Sequence, residues 1–407
     1  MEKEIVVYVG SSRLVAVEGI AGSGEPKVLR AAGKKDPEGF EKGLVTNLEK
    51  ASTAISGLIE TLYPGKTSLP VYAVLGNAKL KTYGYSSSQY YQGMPRAVSS
   101  HDIRAVVNQT RSVATLPLSE FVLQAIPESF LVNDMNDVRN PLGLETRRLG
   151  VNLKIFTMNF EDFKNIARAF ESADIEVEGY FPKTLTISEA VLTDQEKEEG
   201  TLLADISEDH LHLVVWKNGD LVDTKVLDLG GAALTSEIAE CWQIGIQDAE
   251  KVKQRYGALD LDPKFGDELI PLIERNGRAN RQIQRREFQE AFLEQSRNWM
   301  AKILAESDRF VQEQKLAHPH LVFTGGITVL DGFLEFLQKQ FSRDARIGLA
   351  RKIEAPNEFL VNPSLTPALG MIRWLSLQES GRRQLLAPSG LLQKTVASAR
   401  DWFSSYF

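Results

Sequence analysis

Ile5-Val-Val-Tyr-Val-Gly-Ser-Ser-Arg-Leu-Val-Ala-Val-Glu-Gly19 reads as a strand, a Gly10-Ser11-Ser12 turn and a second strand over Leu14 to Val17. The same shape returns about 200 residues later, at Leu202-Leu-Ala-Asp-Ile-Ser-Glu-Asp-His-Leu-His-Leu-Val-Val-Trp216. The two units agree in shape rather than in residues. Two related halves facing a cleft would produce this repetition, and so would coincidence.

Outward from these two meanders, strand-like and helical runs alternate. Leu44 to Leu62 has helical spacing, Val71 to Leu75 is a strand ending at Gly76, Leu149 to Met158 alternates, and Phe160 to Ser172 is helical. Lys217-Asn218-Gly219-Asp220 is a hairpin turn of the Asn-Gly kind, and Val222 to Leu229 completes the second meander. Leu234 to Gln254 reads as one long helical tract and Arg281 to Gln314 as another. Leu321 to Thr324 is a short buried strand before Gly325-Gly326. The class is mixed α/β, and 407 residues are too many for one core, so two to four domains are expected.

A net charge of −7 argues against bulk binding of nucleic acid. Cys241 is the one cysteine, which excludes an internal disulfide and predicts a buried structural thiol in the run Ile238 to Trp242. The start carries no basic-then-apolar leader, and no run approaches the roughly 20 apolar residues that span a bilayer. A soluble, cytoplasmic chain is expected unless something attaches it to a surface. His318-Pro-His320 and His210-Leu-His212 lack carboxylate or cysteine partners at ligand spacing, and are read as surface or turn histidines.

From Ser376 to Ser389 periodicity is lost, as in a short linker. Beyond it, Leu392, Val396, Ala399, Phe403 and Phe407 fall within about 80° of one another on a helical wheel. Leu391, Trp402 and Tyr406 widen that face. The aromatic load predicts an amphipathic helix lying on a membrane surface, against the alternatives of self-packing or dimerisation. Lys394 and Arg400 supply little attraction to anionic lipid. Eight apolar side chains at about 1 kcal/mol each give only micromolar-range binding, so a single helix is a marginal anchor and an assembly of many is a good one.

An ordered set of further motifs resembles FtsA, a family of actin-like bacterial division proteins. Ile126-Pro-Glu-Ser-Phe-Leu-Val132, Arg139-Asn-Pro-Leu-Gly143 and Arg147-Arg-Leu149 look like that family's inserted domain. Lys225-Val-Leu-Asp-Leu-Gly-Gly231 with Leu234-Thr-Ser-Glu-Ile-Ala239 resembles the strand and helix after its second phosphate loop. Asp248-Ala-Glu-Lys-Val-Lys-Gln-Arg-Tyr-Gly257, Leu321-Val-Phe-Thr-Gly-Gly326 and Pro367-Ala-Leu-Gly370 follow in the family's order.

The resemblance implies an actin-like two-lobed ATPase-type fold with an inserted small α+β subdomain. Residues 1–78, 160–198 and 365–375 would form the core of lobe 1, and 79–159 the insertion. Residues 199–232 and 306–364 would form the core of lobe 2, 233–305 its smaller subdomain, 376–389 the linker and 390–407 the membrane helix. Gly10, Ser11, Ser12, Asp205, Gly230, Gly231, Glu250, Lys253, Gly325 and Gly326 would take ATP with Mg2+, Glu250 and Lys253 bracketing ribose and base.

Two departures bear on that expectation. Where the family's first phosphate loop reads Asp-(Ile/Val)-Gly-Thr-Ser-Lys, this chain has Tyr8-Val9-Gly10-Ser11-Ser12-Arg13. Its second loop, normally Asp-(Ile/Val)-Gly-Gly-Gly-Thr, is Asp205-Ile206-Ser207-Glu208-Asp209-His210. Bare backbone N–H groups are what such loops offer phosphate, and carboxylates repel it.

By function, the resemblance implies a non-enzymatic division protein, peripheral on the cytoplasmic face of the inner membrane. It would tether FtsZ filaments through the FtsZ C-terminal peptide, polymerise with itself, touch lipid through the tail and meet downstream division proteins. Arg297 and Lys302 would face the acidic peptide. A PilM-like adaptor of a pilus or secretion machine is the alternative, and it needs no lipid-binding tail. A sugar-kinase relative would need intact phosphate loops.

Overall fold

The computed structural model describes residues 3–22, 24–65, 69–260, 268–273 and 280–379. Its residues fall into two units, Met1–Leu192 with Leu349–Phe407, and Thr193–Gly348. The expected membrane helix at 390–407 lies outside the described residues.

In the first unit β1 (Lys3–Val9) pairs antiparallel with β2 (Arg13–Ile20), Val9 opposite Leu14. The Gly10 N–H donates to the Arg13 carbonyl at 2.9 Å and closes the turn. β3 (Lys27–Lys35) continues antiparallel on β2, while β4 (Val71–Leu75) and β5 (Val177–Pro182) extend the other edge in parallel. β1 is buried throughout its last six residues, because helices cover the sheet; this is why it reads as an unbroken apolar run. α1 (Leu48–Leu62) and α2 (Phe160–Ser172) press Ile55, Ile59, Phe163 and Phe170 into that core. Asn47 caps α1, its side chain accepting from the Lys50 N–H at 3.0 Å. α1 is shorter than the predicted Leu44 to Leu62, because Leu44–Val45 pairs with Phe40–Glu41 as a strand.

Between β4 and α2 the chain forms a four-stranded antiparallel sheet, in the order Met135–Val138, Glu120–Val132, Arg148–Asn159, Lys81–Tyr90. The helix Ser100–Val113 packs Ile103, Val106 and Val107 against Phe130, Leu149 and Val151, making a separate small core. This is the α+β insertion.

The second unit repeats the first sheet's topology. β6 (Thr201–Ile206), β7 (Leu211–Lys217) and β8 (Asp220–Leu227) form the antiparallel meander, and β9 (His320–Thr324) and β10 (Arg346–Ile347) extend β6 in parallel. Three antiparallel strands followed by two parallel ones occur in the same order in both sheets. The repeated sequence shape is therefore one topology laid down twice.

Several boundaries depart from expectation. The tract Leu234 to Gln254 is two helices, α4 (Gly231–Trp242) and α5 (Ile246–Tyr256), broken where Gln243 takes a left-handed φ of 53°. Arg281 to Gln284 belongs to a strand, Asn280–Gln284, before α6 (Arg285–Glu313) begins. The expected borders at 232/233 and 305/306 thus fall inside α4 and α6. Residues 349–364 belong with the first unit, since Glu354 exchanges backbone hydrogen bonds with Pro26 and Val28 at 2.8 Å. Helix α7 (Thr366–Glu379) runs four residues into the expected linker.

The helix Asp194–Glu199 belongs to the second unit, because Glu196 meets Arg346 through both carboxylate oxygens, at 2.5 and 2.7 Å. Burial alone would raise the Glu196 carboxyl; Arg346 and the Thr193 N–H outweigh it and hold the pKa at about 2. A folded-state value below the ordinary 4.5 of a glutamate contributes stability that is present above pH 4.5 and lost as pH falls toward 2. Glu196→Gln is expected to flatten that acid limb, read as tryptophan fluorescence against pH in mild urea. An unchanged limb would mean that the pair contributes nothing.

Among the described residues no helix is long and apolar enough to cross a membrane, and no group of three or more His, Cys, Asp or Glu side chains gathers as for a metal.

Candidate functional site

In the second unit the site residues converge on the end of β6. Asp205 is buried there and accepts from the Ser207 hydroxyl at 3.1 Å. Gly325, at φ +95°, crosses this strand end so closely that a Cβ would lie 2.3 Å from the Ile206 carbonyl oxygen and 2.7 Å from Asp205 Oδ1. Only glycine serves at that position. Gly326 faces open space, with no atom within 4 Å of where its Cβ would be.

The loop Ser207 to His210 folds back onto the start of α4. The Gly231 N–H donates to the Ser207 carbonyl at 2.9 Å and the Ala232 N–H to the Glu208 carbonyl at 2.7 Å. The Gly230 N–H meets the Asp209 carbonyl at 3.1 Å, and a Cβ there would sit 2.3 Å from the Glu208 carbonyl oxygen. The N–H groups that an anion would use at this helix start already hold the protein's own carbonyls.

Glu250 and Lys253, three apart on α5, face α4. Lys253 Nζ lies 2.6 Å from Glu250 Oε2 and donates to Thr235 Oγ1 at 2.7 Å and to the Gly231 carbonyl at 3.2 Å. Thr235 donates to Glu250 Oε2 at 2.6 Å, and Gln254 donates to Oε1 at 2.6 Å. Burial would raise the Glu250 carboxyl, but the Lys253 ammonium with the Thr235 and Gln254 donors holds it below the usual carboxylate range. The pair fastens α5 to α4 beside Gly231 and is not a solvated i, i+3 pair. Asp205, Gly230, Gly231, Glu250, Lys253, Gly325 and Gly326 are therefore one cluster. Thr235 is the member that sequence reading missed; it stands four residues after Gly231, on the same helix face.

In the first unit, Gly10, Ser11 and Ser12 form the β1–β2 turn, capped by a ring. Tyr8 is 6% exposed. A Cβ on Gly10 would lie 2.7 Å from its ring and hydroxyl, and one on Gly76 would lie 2.8 Å from its ring. Lys183 Nζ stands 5.6 Å from the ring centroid. In sequence Gly76 marks a strand end; in the fold it lets an aromatic ring approach.

A magnesium–triphosphate fits neither loop as the family pattern expects. The first presents a buried ring where an aspartate would stand, and the second satisfies its helix-start N–H groups internally while carrying Glu208 and Asp209. Gly230, Gly231 and Lys253 are buried in this cluster, and Gly326 is the glycine of it that faces open space.

On α6, Arg297 is exposed and Lys302 pairs with Glu237 of α4 at 2.8 Å. Between them in sequence, buried Trp299 donates its indole N–H to the Gly230 carbonyl at 3.2 Å, tying this helix to the second loop. Two side-chain expectations fail. Cys241 is exposed, since it lies at the edge of α4's buried arc of Leu234, Ile238 and Trp242. His212 is buried because β7 is covered on both faces, and His210, just ahead of that strand, is buried with its Nδ1 3.0 Å from Asp228 Oδ1. His318 and His320 are exposed as read.

Residues 202–370 match the family model "Cell division protein FtsA", and residues 82–157 match "SHS2 domain inserted in FTSA". The chain belongs to the FtsA family. The larger FtsA match starts in β6 and ends at Gly370 on α7, and the smaller coincides with the inserted α+β sheet. FtsA of Pseudomonas aeruginosa is 24% identical over 94% of this chain and 91% of its own length. FtsA of Escherichia coli strain K12 is 25% identical over 98% and 96%.

Solved structures establish the actin-like fold of this FtsA-family chain. A PilM–PilN type IV pilus biogenesis complex aligns with TM-score 0.63 at 15% identity, over 93% of this chain and 98% of that one. MreB5 of Spiroplasma citri bound to ADP aligns at 0.53 and 11%, over 94% and 98%. A MamK double helical filament aligns at 0.52 and 10%, over 92% and 98%. Likeness at such identity shows the fold alone.

Proposed function

We propose that this protein is a division adaptor that holds FtsZ filaments against the cytoplasmic face of the inner membrane and assembles with itself as an actin-like filament. Membership of FtsA carries the reading: its inserted domain and its second lobe are both matched, in order, ahead of a C-terminal run with an amphipathic period. The work is mechanical rather than catalytic. Leu391, Leu392, Val396, Ala399, Trp402, Phe403, Tyr406 and Phe407 enter the lipid, and the exposed side of α6 around Arg297 takes the acidic C-terminal peptide of FtsZ. Lys302 shares its charge with Glu237, so Arg297 is the stronger contact.

Self-association follows the precedent of the MamK filament. Because one tail binds weakly, assembly turns a marginal anchor into a firm one by multiplying contacts. An adenine nucleotide, as in the ADP-bound MreB5, is proposed for the cluster of Gly231, Glu250, Lys253, Gly325 and Gly326.

Liposome co-sedimentation tests the tether. The full chain is expected to pellet with vesicles of inner-membrane lipid and to bring FtsZ down, whereas a chain ending at Ala387 stays in the supernatant. Equal pelleting by both forms would overturn the tether. It would also favour a peptide-binding adaptor of the PilM kind, the reading that the PilM–PilN likeness supports.

A further inference from the structure

We propose that one edge of the inserted sheet, the strand Lys81–Tyr90, pairs antiparallel with the same strand of a second copy and joins two inserted domains across a two-fold axis.

The two edges of this four-stranded sheet are built differently. Met135–Val138 is four residues long, and its register against Glu120–Val132 shifts between Met135 and Val138. A short, irregular edge resists further pairing. Lys81–Tyr90 is ten residues long and keeps register with Arg148–Asn159 from Lys81 opposite Thr157 to Tyr90 opposite Arg148. It holds no proline, and among the described residues no strand takes its other side. None of its ten residues is buried, although eight of the twelve in the strand beside it are, so this edge stands in solvent. The alternate N–H and C=O groups that point away from that neighbour form an open, regular ladder.

Charge, another guard of such edges, is missing as well. The strand carries one charge, at its first residue, and Glu120 Oε1 holds Lys81 Nζ at 2.5 Å. Ser87 turns to the helix Ser100–Val113, its Oγ 2.6 Å from Thr110 Oγ1. Gly84, Ser86 and Ser88 alternate with it onto the other face.

These features select the occupant. A foreign strand added to an edge is chosen by pockets or charges beside it, and small uncharged side chains offer neither. A second copy needs one self-complementary patch, and an uncharged strand laid antiparallel on itself meets no like charge. A single strand-to-strand seam is smaller than a standard interface, so the pairing is weak, with a Kd on the order of 10 µM. It goes beyond the filament proposed above, because head-to-tail contacts join unlike patches.

Disulfide cross-linking of the full-length protein tests it, in a Cys241→Ser background that removes the exposed native thiol. Gly84→Cys, Ser86→Cys and Ser88→Cys are each oxidised at about 50 µM and run on a non-reducing denaturing gel. Near a two-fold axis a residue meets its own copy, so the dimer band is expected to peak within these three positions. The control is Asn152→Cys, exposed and opposite Ser86 but one strand further in, too far from its own copy to be bridged. The peak is expected to exceed it at least about fivefold.

Hydrogen exchange needs no cysteine. Over Lys81–Tyr90 of the unaltered protein it is expected to slow about fivefold between roughly 1 and 100 µM. Ser86→Lys, which sets like charges beside the axis, is expected to cancel that slowing while circular dichroism stays unchanged. Bands no stronger than that of Asn152→Cys, or exchange independent of concentration, would overturn the inference and leave the edge to an extended segment of another protein. Slowing that survives in folded Ser86→Lys would overturn it too.

Discussion

Gly370→Ala is expected to destabilise the first unit by about 3 kcal/mol or more, at or beyond the upper end of the usual overpacking range. Gly370 is where α7 crosses α3 (Lys183–Val191), and an alanine Cβ would lie 1.8 Å from the Thr186 carbonyl oxygen and 2.6 Å from its carbon. Both atoms are backbone, so no rotamer change relieves the overlap. Opposing this, alanine is a better helix former than glycine by about 1 kcal/mol. The clash wins because α3 is itself fixed: all nine of its residues are buried, and Arg373 of α7 donates to the Glu189 carbonyl one turn along the crossing. Thermal unfolding followed by circular dichroism should show a transition several degrees lower, with the second unit unchanged. A midpoint equal to or above that of the unaltered protein would mean that the helices can part at no cost. Gly370 closes the Pro367-Ala-Leu-Gly motif, so the close crossing gives a physical reason for the glycine there.

Lys253→Met carries the other large expectation, a loss of about 3–5 kcal/mol from the second unit. Lys253 is 5% exposed and holds Glu250, Thr235 and the Gly231 carbonyl together. Removing it strands a half-buried carboxylate, while the Gly231 carbonyl keeps the Thr235 hydroxyl at 3.1 Å. Urea unfolding read through Trp216, Trp242 and Trp299 measures the loss, and Lys253→Met with Glu250→Leu should recover most of it, since an apolar pair leaves no stranded charge. A double variant no more stable than the single one would argue that the pair is not the reason. The pH dependence has a definite sign. The Glu250 carboxyl is held below the ordinary 4.5 of a glutamate, so its contribution is present above that pH and is lost on acidification. In Lys253→Met the carboxyl should titrate at higher pH, and the acid transition should begin earlier.

Much of the fold was legible because its signals are local. A covered strand such as Ile5 to Val9 has to be apolar, an Asn-Gly pair turns a hairpin, and helices repeat their apolar face. Element ends were less legible where tertiary contact chose them. Nothing in the pattern of Leu234 to Gln254 announces a left-handed Gln243, which is the point where α5 turns back so that Lys253 can reach Gly231. Arg281 to Gln284 has helical company on one side, yet pairs with Leu269–Ile273 as a strand. His210 and His212 were read from the company they lacked, whereas the burial of His212 follows from a sheet covered on both faces.

By itself the sequence determined the family, the doubled meander and the residue types of the two loops, Tyr8 among them. Each depends on which atoms are present in what order. Tertiary structure alone decided what those residues do: that the Tyr8 ring lies over Gly10 and Gly76, that the N–H groups at the start of α4 hold the chain's own carbonyls, and that Glu250 and Lys253 clamp two helices. These outcomes depend on groups far apart in the chain coming within hydrogen-bonding or van der Waals distance, where a few tenths of an ångström separate a ligand site from a filled one.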